Sequence, residues 1–139
     1  MTVARTPHRT LLLLVALAAL AACSPSGTDV AGKTFVSTDV TGHELAEGSQ
    51  IVVAFTEDAV GARPGCNSMS APATWDDGTL QLTAALSSTK MACPDALLDQ
   101  DAWFGDLLGA GPTLELDGQT LTITGPEATV VLDEEAEAS

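Results

Sequence analysis

Gly65-Cys66-Asn67-Ser68-Met69-Ser70 and Ser88-Thr89-Lys90-Met91-Ala92-Cys93-Pro94 are the stretches from which the fold can be read. They hold two of the chain's three cysteines. The first lies at a turn between two strand-like runs. The second ends a strand-like run just before the one segment with clear helical periodicity. If Cys66 and Cys93 are bonded, the middle of an antiparallel meander is tied to the start of a helix.

Working outward from there, Gln50 to Thr56 alternates Ile51, Val53 and Phe55 against Val52 and Ala54, the period of a strand with one buried face. Thr34-Phe35-Val36-Ser37-Thr38 is rich in β-branched residues, so an entry strand is expected over Lys33 to Val40, with a turn at Thr41-Gly42-His43. Ala59 to Arg63 reads as a weaker return strand after Glu57-Asp58. Ser70 to Trp75 leads into Asp76-Asp77-Gly78, whose Asp-Gly step accepts the positive φ of a hairpin turn. Thr79 to Thr83 returns with Leu80 and Leu82 on one face, and Leu86 to Met91 is expected to form another strand.

After Cys93 the period changes. From Pro94-Asp95 onward, Leu97, Phe104, Leu107 and Leu108 recur at helical spacing, with Trp103 at the border. Asp95, Asp99 and Asp106 follow the opposite face, and Gly109-Ala110-Gly111-Pro112 stops the helix. A hairpin then runs from Leu114-Glu115-Leu116 through Asp117-Gly118 to Leu121-Thr122-Ile123-Thr124, and Thr129 to Leu132 is the last strand. The expectation is an α+β fold: about eight short antiparallel strands curled into a barrel-like sheet with one helix packed on it.

The N-terminus reads as an address. Arg5, His8 and Arg9 precede a short apolar run, Leu11 to Leu20, which Leu20-Ala21-Ala22-Cys23 closes with small residues. Spanning a bilayer takes about 20 apolar residues, and this run falls short. The L-A-A-C end resembles the lipobox of bacterial lipoproteins, which implies cleavage after Ala22 and diacylation of Cys23. The plainer alternative is an ordinary secretory signal cut near Ala22. Two acyl chains hold a protein to a membrane stably where one does not. The expected layout is a signal peptide over residues 1–22, a lipid-anchored linker over 23–32, the domain over 33–132 and an acidic, disordered tail over 133–139. The expected location is the extracytoplasmic face of a membrane in the cell envelope.

Charge narrows the partners. Beyond Ala22 the chain carries all 19 of its acidic residues but only three of its five bases, Lys33, Arg63 and Lys90. So acidic a surface will not hold nucleic acid through phosphate contacts, and anionic lipid surfaces repel it. Its length suits one domain, and a monomer is expected.

Gly65-Cys66-Asn67 followed by Ser87-Ser88-Thr89-Lys90-Met91-Ala92-Cys93-Pro94 is similar to the G-C-N … S-T-x-M-x-C-P signature of META domains, the HslJ-like family. The motif residues are Gly65, Cys66, Asn67, Thr89, Met91, Cys93 and Pro94. The entry strand with Thr41-Gly42-His43 resembles that of secreted members, and Gln100-Asp101-Ala102-Trp103-Phe104 resembles the family's helix. Two departures bear on packing. Ala71 and Ala73 stand where an aromatic usually follows G-C-N, with Trp75 slightly later, and Phe35 stands where the entry strand often carries Trp. The resemblance implies a link to envelope stress, antibiotic tolerance or secretion, and no enzymatic activity that can be carried over residue by residue.

Beyond Cys23 two cysteines remain, an even number in an oxidising compartment, so a structural disulfide between Cys66 and Cys93 is expected. Buried free thiols or a reactive or metal-binding pair are the alternatives; the spacing is unlike C-x-x-C. His43, the only histidine beyond the signal, would complete a three-ligand zinc site with the cysteines, but no spacing supports it and a turn histidine is simpler. Asn67 suits a left-handed turn or bonds to neighbouring backbone. Asp76-Asp77 and the acidic tail lack the alternating ligands, central Gly and distal Glu of a calcium loop. No G-x-S-x-G, H-E-x-x-H or glycine-rich phosphate loop is present. Trp75, Trp103 and Phe104 read as core. No catalytic residue, cofactor or metal is expected. The reading is a non-catalytic binding or stress-protective module, whose partner would be an envelope protein or small-molecule ligand. An inhibitor of an envelope enzyme, a small hydrolase, or a structural surface protein without a ligand are the alternatives.

Overall fold

The computed structural model describes residues 28–136, so Cys23, the stretch read as a signal peptide and the last three residues of the expected tail lie outside the described residues. Within them the chain forms β1 (Thr34–Thr41), β2 (Val52–Phe55), β3 (Ala59–Arg63), β4 (Met69–Thr74), β5 (Gln81–Leu82), β6 (Ser87–Ser88), α1 (Asp95–Gly109), β7 (Thr113–Asp117), β8 (Thr120–Thr124) and β9 (Thr129–Glu134). The strands make one antiparallel sheet in the order β5-β4-β3-β2-β1-β9-β8-β7, with β6 on β4 beside β5. This is the expected α+β architecture of a curled meander and one helix.

The sheet curls far enough for its two edges to touch. Thr79, just before β5, bridges Thr113 at the start of β7. Leu80 donates its N–H to the Pro112 carbonyl at 2.8 Å and Leu114 to the Gly78 carbonyl at 2.7 Å. The strand expected over Thr79 to Thr83 is thus divided between two partners: its start closes the sheet onto β7 and its end pairs with β4. Edge closure of this kind leaves fewer backbone groups unpaired than an open sheet.

Alternation along the strands fills the interior. Phe35, Val53, Val60, Leu121, Ile123, Val130 and Leu132 are fully buried, and β4 turns Met69, Ala71 and Ala73 inward and Ser70, Pro72 and Thr74 outward. The small alanines of β4 leave room for Trp75, which packs edge-on against Phe55 at 5.3 Å. A register shift between Ser37 and Asp39 interrupts β1 against β9. Here the buried Ser37 continues the pairing with its side chain, accepting the Ile51 N–H at 2.9 Å on Oγ.

α1 lies across one mouth of the barrel and buries Phe104, Leu107 and Leu108. Its first turn has no side-chain cap; the Pro94 carbonyl accepts from the N–H groups of Leu97 and Leu98 instead. Gly111, at φ 71°, and Pro112 then redirect the chain into β7.

Three boundaries differ from expectation, each for a local reason. The domain begins before Gly32: Val30 is fully buried in the core and Gly32 donates to the Phe55 carbonyl at 2.9 Å. Burying one valine stabilises by about 1.5–2 kcal/mol, enough to draw an otherwise linker-like stretch onto the barrel. The domain also ends later, because β9 continues through Asp133 and Glu134 alongside β1. The strand expected over Leu86 to Met91 shrinks to Ser87–Ser88 because the residues after it turn their polar groups toward Asn67.

Candidate functional site

The two stretches that opened the sequence reading meet at the helix-covered mouth. Cys66 and Cys93 form a disulfide, with Cα atoms 6.4 Å apart and a sequence separation of 27. The bond joins the β3–β4 connection to the residue preceding the helix cap, matching the pairing expected from the even thiol count.

Around it, Asp101 and Asn67 knit three segments together. The Asp101 carboxylate accepts the Cys66 N–H at 3.0 Å on Oδ1, and the Asn67 N–H at 2.9 Å and Asn67 Nδ2 at 3.0 Å on Oδ2. Asn67 Oδ1 in turn accepts the Thr89 hydroxyl at 3.0 Å and the Met91 N–H at 2.7 Å. Thr89 Oγ1 accepts the Ser68 N–H at 3.0 Å. Both Asn67 and Asp101 are buried, yet among the described residues no buried side-chain polar atom lacks a partner. A buried carboxylate with no cation beside it is tolerable when N–H donors solvate it, as three do here.

Gly65 permits the approach. A Cβ there would stand 2.7 Å from the Leu97 carbonyl oxygen and 3.2 Å from Asp101 Oδ1, so the β3–β4 connection can lie this close to the helix only without a side chain. Pro94 supplies the helix cap. Met91 contributes its backbone, and its side chain is 60% exposed. The seven motif residues therefore belong to one junction, in which each polar group has a structural partner.

Gln100 does the same work one residue earlier on α1. It is fully buried, donates from Nε2 to the Pro64 carbonyl at 2.6 Å and to Ser49 Oγ at 2.9 Å, and accepts the Ala46 N–H at 2.7 Å. This pins the β1–β2 connection against the helix. The sequence resemblance placed Gln100 and Asp101 on the helix but gave neither a role. The available signal was two adjacent polar residues at 100 and 101, just before the apolar Trp103-Phe104 pair, where an amphipathic helix should bury its face.

His43 is not near the cysteines in any bonding sense; its ring lies parallel to that of Trp103, with centroids 4.0 Å apart. Among the described residues no group of three or more His, Cys, Asp or Glu side chains could hold a metal ion. Phe104 is buried as expected, while Trp75 and Trp103 are half-buried against the core. Asp77 caps its own turn by accepting the Thr79 N–H at 3.0 Å.

Of the open grooves among the described residues, two lie beside features already described. One of about 720 Å³ runs beside the β1 irregularity, between Ser37–Val40 and the connection holding His43, Glu44 and Gln50. The other, of about 1000 Å³, lies between the Asp76-Asp77-Gly78 turn and Glu115 to Asp117 of β7. The first adjoins the mouth covered by α1 and is walled by the segment that Gln100 holds. Its volume lies in the range of small-ligand clefts, and its lining mixes carboxylates, hydroxyls and one imidazole.

The comparisons with known proteins agree with this architecture. The family model of the META domain matches residues 28–137. Among curated proteins, none matches the chain. Two NMR structures share the fold. One aligns at 21% identity and a TM-score of 0.63, covering 75% of this chain and 90% of its own. The other, from Burkholderia xenovorans, aligns at 15% identity and a TM-score of 0.63, covering 78% of this chain and 85% of its own.

Proposed function

The chain belongs to the META domain family, and from that premise we propose that it is a membrane-tethered extracytoplasmic lipoprotein whose domain serves as a non-catalytic binding or stress-protective module of the cell envelope. Cys23 is the residue acylated in this reading. The observation that carries the non-catalytic part is the junction at the helix mouth. Its carboxylate, amide and two sulfurs are the groups a chemist would first recruit, and all are already engaged in holding the fold. The disulfide supports an oxidising compartment, where such bonds persist. Binding is assigned to the groove beside His43, whose lining is not part of that junction.

Two measurements test the reading. Wild-type protein isolated from its own envelope should carry a diacyl group on Cys23 and enter the detergent phase on partitioning, whereas Cys23→Ser stays aqueous. An unmodified wild-type cysteine would sink the tether. Ligand or protein captured on the wild-type domain should be lost on Glu44→Arg, which reverses charge in the groove; retention would move binding elsewhere.

A further inference from the structure

The two mouths of the barrel are closed by different segments, and that difference orients the domain. At one end the β1–β2 and β3–β4 connections meet α1 through Gln100 and Asp101. At the other end lie the start of β1, the Glu57-Asp58 turn, the Trp75–Gly78 turn and the Asp117-Gly118 turn, as the antiparallel registers of β1, β2, β3, β4, β8 and β9 require. The N-terminal segment closes this second end. Val30 is fully buried there, Gly32 bonds to Phe55, and Thr28 borders the groove beside Gly78.

We infer that the acylated protein stands with this turn end toward the bilayer and its helix end, with the family junction and the His43 groove, facing away from it. The inference rests on the anchoring of Cys23 proposed above. From Cys23 to Thr28 the chain has five residue steps, a reach of at most about 17 Å. β1 alone, at eight residues, adds about 20 Å along a tilted barrel before the helix end is reached. The tether therefore holds the turn end close to the lipid and keeps the opposite mouth well beyond it. Charge does not choose between the ends, since Glu44, Glu47, Asp95, Asp99, Asp106 and Glu127 are exposed around the helix end as well. Glu57, Asp58, Asp76, Asp77, Asp117 and Glu135 are exposed around the turn end. Against anionic headgroups they repel at distances up to a Debye length, about 8–10 Å at physiological salt, so the tethered turn end is held just off the lipid surface.

The chain's two tryptophans report on the two ends: Trp75 sits at the turn end and Trp103 on α1. The lipidated protein is purified and its N-terminal peptide weighed, so that a missing acyl group is recognised before any orientation is measured. It is then placed in phosphatidylcholine vesicles containing some phosphatidylglycerol and a headgroup-labelled dansyl lipid. Energy transfer from Trp75, measured in Trp103→Phe, should exceed that from Trp103, measured in Trp75→Phe, several-fold. Equal or reversed transfer would overturn the orientation. Unsubstituted protein supplies a second readout in vesicles containing phosphatidylethanolamine. An amine-to-amine cross-linker should join Lys33, at the turn end, to the lipid in preference to Lys90 at the junction, and dominant Lys90 adducts would likewise refute it.

Discussion

Asp101 accepts from both the backbone and the side chain of a loop 34 residues away, and no cation shares its burial. Replacing it with alanine strands three N–H donors in a closed mouth, each costing about 1–3 kcal/mol when unsatisfied, partly offset because a buried charge is also removed. Asp101→Ala should therefore destabilise the domain by about 2–4 kcal/mol in urea unfolding. Asp101→Asn should cost less, since one oxygen still accepts; equal losses would mean that volume, not hydrogen bonding, matters at this site. Gly65→Ala belongs to the same scale. Gly65 is not among the glycines with positive φ, so the cost comes from contact with the Leu97 carbonyl rather than from backbone strain. The helix cannot retreat without lengthening the Asp101 bonds, and about 1–3 kcal/mol is expected. An unchanged midpoint would show that the helix yields freely. Asn67 was legible as structural but not in its means: among the described residues only glycines have positive φ, so it takes no left-handed turn, and its side chain bonds the distant Thr89, Met91 and Asp101 rather than neighbouring backbone. Its partner Asp101 was not legible, because nothing in a sequence of many aspartates says which one turns inward.

At the scale of elements, the disulfide and the polar junction hold the same contact in different ways. Hydrogen bonds act on the folded state, whereas the bond between Cys66 and Cys93 acts mainly by restricting the unfolded chain. For a loop of this length the chain-entropy model gives about 3–4 kcal/mol. The double variant Cys66→Ser/Cys93→Ser should thus lose about that much stability in urea unfolding while keeping its native circular dichroism, because Asp101 and Asn67 still position both segments. Loss of the folded spectrum without denaturant would show that the bond, not the junction, shapes the mouth. The strands most legible in sequence were those whose residues alternate against a single core: β3 runs from Ala59 to Arg63 as expected, β2 lies within its expected span, and β8 begins one residue before the expected Leu121. Where an element answers to a distant partner, periodicity was a poor guide. Val30 looks like linker by composition and is core by position, Thr79 joins an edge its own hairpin does not contain, and Leu86 to Met91 gives up its ladder so that Thr89 and Met91 can reach Asn67.

For the whole molecule, charge imbalance rather than any single pair sets the response to salt. The full chain carries 19 acids against five bases. Among the described residues the one ion pair, Lys33 with Glu134 at 3.4 Å, is partly exposed at both ends and is worth at most about 1 kcal/mol. Raising sodium chloride from about 0.02 M to about 0.3 M shortens the Debye length from about 20 Å to about 6 Å. That change weakens this one attraction but also screens the repulsion among Glu57, Asp58, Asp76, Asp77 and Asp117, which share the turn end of the barrel. Compact states of strongly charged proteins are destabilised by such self-repulsion. The balance favours screening, so the melting temperature of the Cys23→Ser protein should rise with salt. A net gain of roughly 1 kcal/mol would appear as about 4–8 °C for a domain of this size. Reversing one charge at the turn end, as in Asp77→Lys, should reduce the salt-dependent rise, whereas Asp99→Lys on α1 should reduce it less if the repulsion is concentrated where the turns converge. A melting temperature that falls with salt would assign the domain's electrostatic stability to its few cations instead.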